Sequence, residues 1–268
     1  MRSGGGPVRL AVLGGTGVYD PSLLAEVDEE RVATPYGEVT VWRGFLPATG
    51  EPVAFLPRHG PSHSVPPHRV NYRANVWALK ELGVERVLAT AAVGSLTQEI
   101  QPGTFVVVDQ FLDFTKARPA TFYDGGSGVA HVDVSDPYCP QLRRLLAVAA
   151  EELGVPVRAG GTYVCTEGPR FETPAEIQAF ARLGGHVVGM TGLPEVVLAR
   201  ELSLCYATVA TVTNYAAGIS PQPLTHREVL EVMSANLARL RALLGLVLAR
   251  VPRERACACG QPLEVFGV

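Results

Sequence analysis

This sequence predicts an α/β fold: a single domain with a central mixed β-sheet flanked by helices. Three observations lead there. Short apolar runs alternate with segments whose apolar residues recur at helical spacing. No repeat or long linker divides the 268 residues, so 1–268 reads as one domain, with residues 1–7 and about 252–268 as flexible tails. The apolar runs end in polar, glycine-rich or proline-rich loops, and open α/β sheets bind ligands beyond such strand ends. Hydrophobic content of 47% against 18% charged residues is enough for a sizeable core.

The first strand, 8–13, runs into Gly14-Gly15-Thr16-Gly17. Such a turn can cradle a phosphate with backbone N–H groups, or be a plain tight turn. It is not a full G-x-G-x-x-G, and no acidic partner follows at the right distance, so a dinucleotide site is weakly supported. Strands at 39–42 and 53–56 flank a turn at 47–50. The second stops at Pro57-Arg58-His59-Gly60, with His63, Pro66, Pro67 and His68 beyond. Three close histidines invite a metal, but no carboxylate or cysteine accompanies them. Anion contact by Arg58 and His59 fits better, and a solvated, proline-rigid loop is the plain alternative.

A helix over 72–82 ends at Gly83, and a buried strand over 86–92 runs into Val93-Gly94-Ser95-Leu96. Pro102-Gly103 turns into a strand over 104–109; 111–123 is irregular and aromatic, and 125–128 is a mobile loop. A helix over 141–153 precedes a strand over 161–165 and the loop Thr166–Thr173. Thr173 caps a helix over 174–183, with Glu176 in the capping-box position. A short strand over 186–189 then turns at Thr191-Gly192-Leu193-Pro194 into a helix. Pro194 suits its first turn, and the helix dipole favours Glu195 there. A strand over 205–213 stops at Asn214, and 228–248 is a long amphipathic helix. If the strand directions agree, Thr16, Arg58-His59, Ala91-Ala92, Phe171-Glu172, Met190-Thr191 and Asn214 gather at one rim.

A formal net charge of −3 gives no reason to expect nucleic acid or an anionic membrane surface as partner. The N-terminus lacks the apolar core of a secretory signal. The longest apolar helical stretch near the C-terminus, 242–251, falls short of the roughly 20 residues that span a bilayer. A cytoplasmic protein is expected. Of five cysteines, Cys139, Cys165 and Cys205 lie in or beside apolar segments, as reduced, packed thiols do. Cys257 and Cys259 form a C-x-C: two metal ligands without a second pair, a disulfide, or an incidental tail pair, the last being the plainest.

Several segments together carry a resemblance: GGTGVYDP, RHGPSH, VNYRANVWALKELG, GSLTQEIQPG, VVVDQFLDFT, TEGPRFETPAE and GMTGLPEVVLARELSLCYA. In these the chain resembles the trimeric purine nucleoside phosphorylase and methylthioadenosine phosphorylase family, from residue 10 to about 230. The resemblance implies reversible phosphorolysis in purine salvage, giving free purine and sugar 1-phosphate. Inorganic phosphate is then the co-substrate, without metal or organic cofactor, in a homotrimer or a hexamer. It puts phosphate on Thr16, Arg58, His59, the Ala91–Ala92 backbone and Thr191, the sugar against Met190 and the purine against Phe171. Asn214, His59 and Arg58 become the catalytic residues.

The base pocket separates subfamilies. Relatives acting on adenine derivatives place two aspartates where this chain has Asn214 and Ala216. An asparagine can donate to a 6-oxo group and accept from a protonated N7. Glu172 matches the glutamate that accepts from N1–H of a 6-oxopurine. His226 resembles the histidine that contacts the 5′-hydroxyl, where methylthio-specific relatives carry a small apolar residue. Inosine and guanosine are the expected substrates. Methylthioinosine or methylthioadenosine is the alternative, and a nucleoside-binding protein without turnover or a nicotinamide enzyme is more remote.

Overall fold

The computed structural model describes residues 7–15, 18, 23–60, 62, 64–126, 128–220 and 226–267, without the side chains of His226 and Glu228. In chain order the strands are Leu10–Gly14 (β1), Ala25–Thr34 (β2), Gly37–Phe45 (β3), Pro52–Pro57 (β4), Arg86–Ser95 (β5), Phe105–Val107 (β6), Gln110–Phe114 (β7), Val129–Ala130 (β8), Val157–Ala159 (β9), Thr162–Thr166 (β10), Val187–Gly189 (β11), Cys205–Tyr215 (β12) and Val265–Phe266 (β13). The helices are Tyr72–Glu81 (α1), Pro140–Glu152 (α2), Pro174–Arg182 (α3), Glu195–Glu201 (α4) and His226–Arg250 (α5).

Among the described residues, eleven strands form one mixed sheet. Its centre is β5, a ten-residue apolar run buried almost throughout. β12 pairs with it in parallel along its whole length. On the other edge β1, also parallel, covers only Arg86–Ala89. β11 then arrives antiparallel on that edge and covers Gly94 and Ser95. β11, β10 and β7 are parallel to one another, so this block runs against β1, β4, β5 and β12. The strand directions therefore do not agree, which corrects the picture of a single rim. The loops meet because β1 and β11 end facing each other, with Thr90–Val93 of β5 between them.

Helices cover both faces, because each sheet face must bury its apolar side chains. On one, α1 and α4 contribute Val76, Leu79, Val196 and Leu198 to the core. On the other, α2 and α5 contribute Leu142, Leu146, Leu240, Leu243 and Val247. α3 packs Ile177 and Phe180 on a smaller cluster with Val164 and Val188. Its capping box is present: Thr173 Oγ1 accepts from Glu176 N–H at 3.2 Å, and Glu176 Oε2 from Thr173 N–H at 2.7 Å. Pro194 is the N-cap of α4 rather than a residue of its first turn, and the helix opens on Glu195.

Three expectations change. Segment 111–123 opens with most of β7, an edge strand that pairs with β10. From Val229 to Arg250, α5 is long and apolar enough to cross a membrane by length and composition, with a mean hydropathy of 1.5. Its apolar face is instead packed into the core beside β12 and α2. Segment 252–267 is not a loose tail. The buried Arg86 guanidinium donates to the carbonyls of Pro252 (3.3 Å) and Glu254 (2.8 Å), and β13 pairs with β8. These backbone anchors give the segment a fixed course.

Candidate active site

The interruption on β5 opens into a cleft of about 330 Å³. Its walls include Gly15, His59, Ala91, Ala92, Thr191, Met190, Phe171, Glu172, Asn214 and Ala216, which brings together most of the residues singled out from the sequence. Thr16 lies outside the described residues, as does the side chain of His226. α5 begins at His226, and Val229, one turn on, lines the cleft.

One end of the cleft is built for an anion. Backbone N–H groups of β5 between the ends of β1 and β11 have no ladder partner on this edge among the described residues. Gly15 donates to Thr90 Oγ1 at 2.8 Å, and a side chain at Gly15 would meet Thr90 O at 2.5 Å and Arg58 Nη1 at 2.8 Å. Only glycine permits that approach. His59 is held by its Nδ1, 2.8 Å from the Val65 carbonyl. A carbonyl only accepts, so the proton sits on Nδ1.

Arg58 is not where the sequence suggested. It lies behind the cleft wall, 3% exposed. Nε and Nη2 each donate to Glu195 at 2.7 Å, and Nη1 donates to Thr90 O at 2.9 Å. Burial works to lower its pKa, and the Glu195 charge and hydrogen bonds more than reverse this, leaving it above the ordinary arginine value. Three of its five N–H groups are engaged in this way by described residues. Tyr206 donates to the same Glu195 carboxylate at 2.5 Å, and burial pushes that phenol far up, so it stays a donor.

The other end offers hydrogen-bonding side chains beside an aromatic one, Thr213, Asn214 and Glu172 with Phe171. β12 carries a bulge between Val212 and Asn214, and a bulge re-aims the side chains beside it. Thr213 and Asn214 both line the cleft as a result. Asn214 Nδ2 donates to the Tyr215 carbonyl at 2.9 Å, and Oδ1 accepts from Thr213 at 2.8 Å. The Tyr215 carbonyl can only accept, which fixes which end of the amide is nitrogen. One amide N–H and one carbonyl lone pair are left. Gly94 makes room, since a side chain there would come within 3.1 Å of Asn214 Nδ2. Glu172 Oε1 accepts from Thr166 at 2.5 Å, and Phe171, 43% exposed, stands at the mouth.

Two residues that hold the site together had no part in the site read from the sequence. Glu195 is one. Arg118 is the other, donating from Nη1 to the carbonyls of Met190 (2.8 Å) and Leu193 (2.6 Å) and from Nη2 to those of Thr166 (3.2 Å) and Glu167 (2.8 Å). It thereby ties the loop carrying Met190 and Thr191 to the loop carrying Phe171 and Glu172. A lone arginine in an aromatic, irregular stretch was the available signal. Cys165 lies close behind these loops, and burial pushes its thiol up to about 12, which favours the neutral thiol over the thiolate.

Residues 9–249 match the model of the phosphorylase superfamily. The chain is 56% identical over 260 residues to a probable 6-oxopurine nucleoside phosphorylase of Dictyoglomus turgidum, covering 97% of this chain and 98% of the relative. It is also 56% identical to the 6-oxopurine nucleoside phosphorylase of Pyrococcus furiosus, covering 96% and 98%. Among solved structures it is similar to the methylthioadenosine phosphorylase of Schistosoma mansoni in complex with adenine, with a TM-score of 0.88, 36% identity, and coverage of 92% of this chain and 93% of that one.

Proposed function

The chain belongs to the phosphorylase superfamily, and from that premise we propose that it catalyses reversible phosphorolysis of 6-oxopurine (deoxy)ribonucleosides such as inosine and guanosine, yielding the free base and (deoxy)ribose 1-phosphate. The observation that carries this reading is Asn214. Its amide keeps one donor and one acceptor for the ring, beside an Ala216 that offers neither. A 6-oxopurine with a proton on N7 matches that pair. Glu172 accepts from N1–H, which adenine lacks. Two acceptors facing each other there cost about 1–3 kcal/mol, enough to separate substrates.

Phosphate is held by the Ala91–Ala92 backbone, His59 and Thr191, with Arg58 behind that wall; the family resemblance adds Thr16, and Met190 lies against the sugar. A phosphate oxygen attacks C1′ as the bond to N9 breaks. The electron pair of that bond passes to the purine, N7 takes up a proton from solvent, and the Asn214 carbonyl accepts a hydrogen bond from that N7–H. The phosphate charge stabilises the positive charge that develops on the sugar. No side chain forms a covalent intermediate, and no step draws on a cofactor. We assign the enzyme to cytoplasmic purine salvage as a homotrimer or hexamer, on the strength of the family resemblance.

A substrate panel with and without phosphate tests the reading: inosine, guanosine, adenosine and their 5′-methylthio counterparts. Phosphate-dependent release of hypoxanthine and guanine, well ahead of adenine, is expected. Equal cleavage of adenosine, or base release that ignores phosphate, overturns it. A preference for the methylthio compounds moves the assignment to the sugar-modified substrates.

A further inference from the structure

Four of the five cysteines converge far along the chain from one another. Cys139 is the N-cap of α2, Cys205 opens β12, and Cys257 and Cys259 flank one residue in the segment after α5. Their four Sγ atoms all lie within 4.8 Å of one another, and Cys139, Cys205 and Cys259 are buried. Cys257 Sγ stands 3.7 Å from Cys139 Sγ and 3.5 Å from Cys205 Sγ. A zinc ion with four thiolates at about 2.3 Å sets its sulfurs at the corners of a tetrahedron with edges of about 3.8 Å. The sequence offered only the C-x-C pair. The fold supplies the second pair, from residues that read as packed core thiols.

The surroundings are built to hold this arrangement. Cys139 N–H donates to Tyr206 O at 2.8 Å, which fixes the start of α2 against β12. Gln141 Oε1 accepts from Arg86 Nη1 at 2.6 Å and from Ala256 N–H at 3.4 Å. Arg86 also holds the Pro252 and Glu254 carbonyls, so the chain entering the C-x-C is guided onto the other two cysteines. Charge is matched as well. A zinc tetrathiolate carries two net negative charges. The N-terminus of α2 begins at Cys139, and the buried cation Arg86 is the strand partner of Cys205.

We propose that Cys139, Cys205, Cys257 and Cys259 bind one zinc ion as a structural tetrathiolate site that staples the C-terminal segment to the sheet. A soft, closed S4 set suits zinc and leaves no open coordination position for catalysis. None of the four lines the cleft, so phosphorolysis does not pass through the ion.

The test is the metal content of the full chain, freshly purified from zinc-replete culture under reducing conditions without chelator. One zinc per chain is expected. After zinc removal and reduction, one equivalent of Co2+ should give the intense thiolate-to-cobalt absorption of a tetrahedral S4 site. Cys259→Ser should lose the metal and melt at lower temperature while still cleaving nucleoside in the cold. Cys165→Ala, which alters the cysteine outside the cluster, should keep the metal. A wild-type chain without zinc, whether its sulfurs are free or joined as disulfides, overturns the proposal. If the Cys259→Ser chain does not fold, the zinc content of the wild type still decides.

Discussion

Both carboxylate oxygens of Glu195 lie 2.7 Å from Arg58, one on Nε and one on Nη2, with both side chains almost fully buried. The arginine behind the cleft wall is therefore held in place by a carboxylate 137 residues away in sequence. Glu195→Gln leaves a buried guanidinium without its counter-charge. Breaking a buried pair on one side costs about 3–5 kcal/mol, so a clear fall in melting temperature is expected. KM for phosphate should rise more than KM for nucleoside, and steady-state kinetics with each substrate varied measures the split.

At Asn214 the exchange of amide for carboxylate should invert the pocket's preference. Asn214→Asp loses the donor to the Tyr215 carbonyl and to a 6-oxo group, and gains an acceptor for a 6-amino group. Inosine turnover should drop about tenfold or more, in line with about 1–3 kcal/mol for a mismatched buried pair. Activity on adenosine relative to inosine should rise. An unchanged ratio in a side-by-side assay rejects the assigned role.

Glu172→Ala removes the acceptor proposed for N1–H and frees Thr166 of its partner. Hypoxanthine and guanine should bind more weakly by about 1–3 kcal/mol, with phosphate affinity little altered. Calorimetric titration of each ligand reads both.

Arg118→Lys keeps the charge and loses the planar fork. Of the four carbonyls Arg118 now serves, those left unpaired cost about 1–3 kcal/mol each. The two loops it joins should loosen together. KM should therefore rise for phosphate and nucleoside alike, unlike the one-sided effect at Glu195, and melting should come earlier.

A pH effect follows from the capping box of α3. Hydrogen bonds from Arg170, then from the Thr173 backbone, hold the Glu176 carboxyl down to about 2 from its ordinary 4.5. A depressed carboxylate contributes stability that is complete above about 4.5 and lost as the pH falls through about 2. Glu176→Gln keeps a capping acceptor without that titration. The melting-temperature gap between wild type and variant should narrow as the pH falls from 5 towards 2; because Arg170 and Glu176 are solvent-exposed, the gap is small.

Short-range signals were legible in the sequence. Thr173 and Glu176 announce their helix, Gly83 ends α1, and the apolar runs of β5 and β12 stand where expected. β2 was not legible: half of AEVDEERVAT is charged and most of it is exposed, and it becomes a strand by pairing with β3. The cleft residues could be named because strand ends bear unusual polar groups. Their supports could not, since Arg58 and Glu195, or Arg118 and Met190, are distant in sequence and meet only through the fold. The reversal of β11 against β5 was equally hidden, because periodicity carries no information on strand direction.

That reversal has a geometric consequence. The anion end is set by Ala92 and the ring end by Gly94, two residues along one buried strand, or about 7 Å at ~3.3 Å per residue. In the proposed reaction, nucleophile and leaving group are thus gauged by a single stretch of covalent backbone in a strand buried almost throughout. Loop changes at either end can alter which ring or which sugar is accepted. The spacing between the two ends of the cleft is set by the strand rather than by those loops.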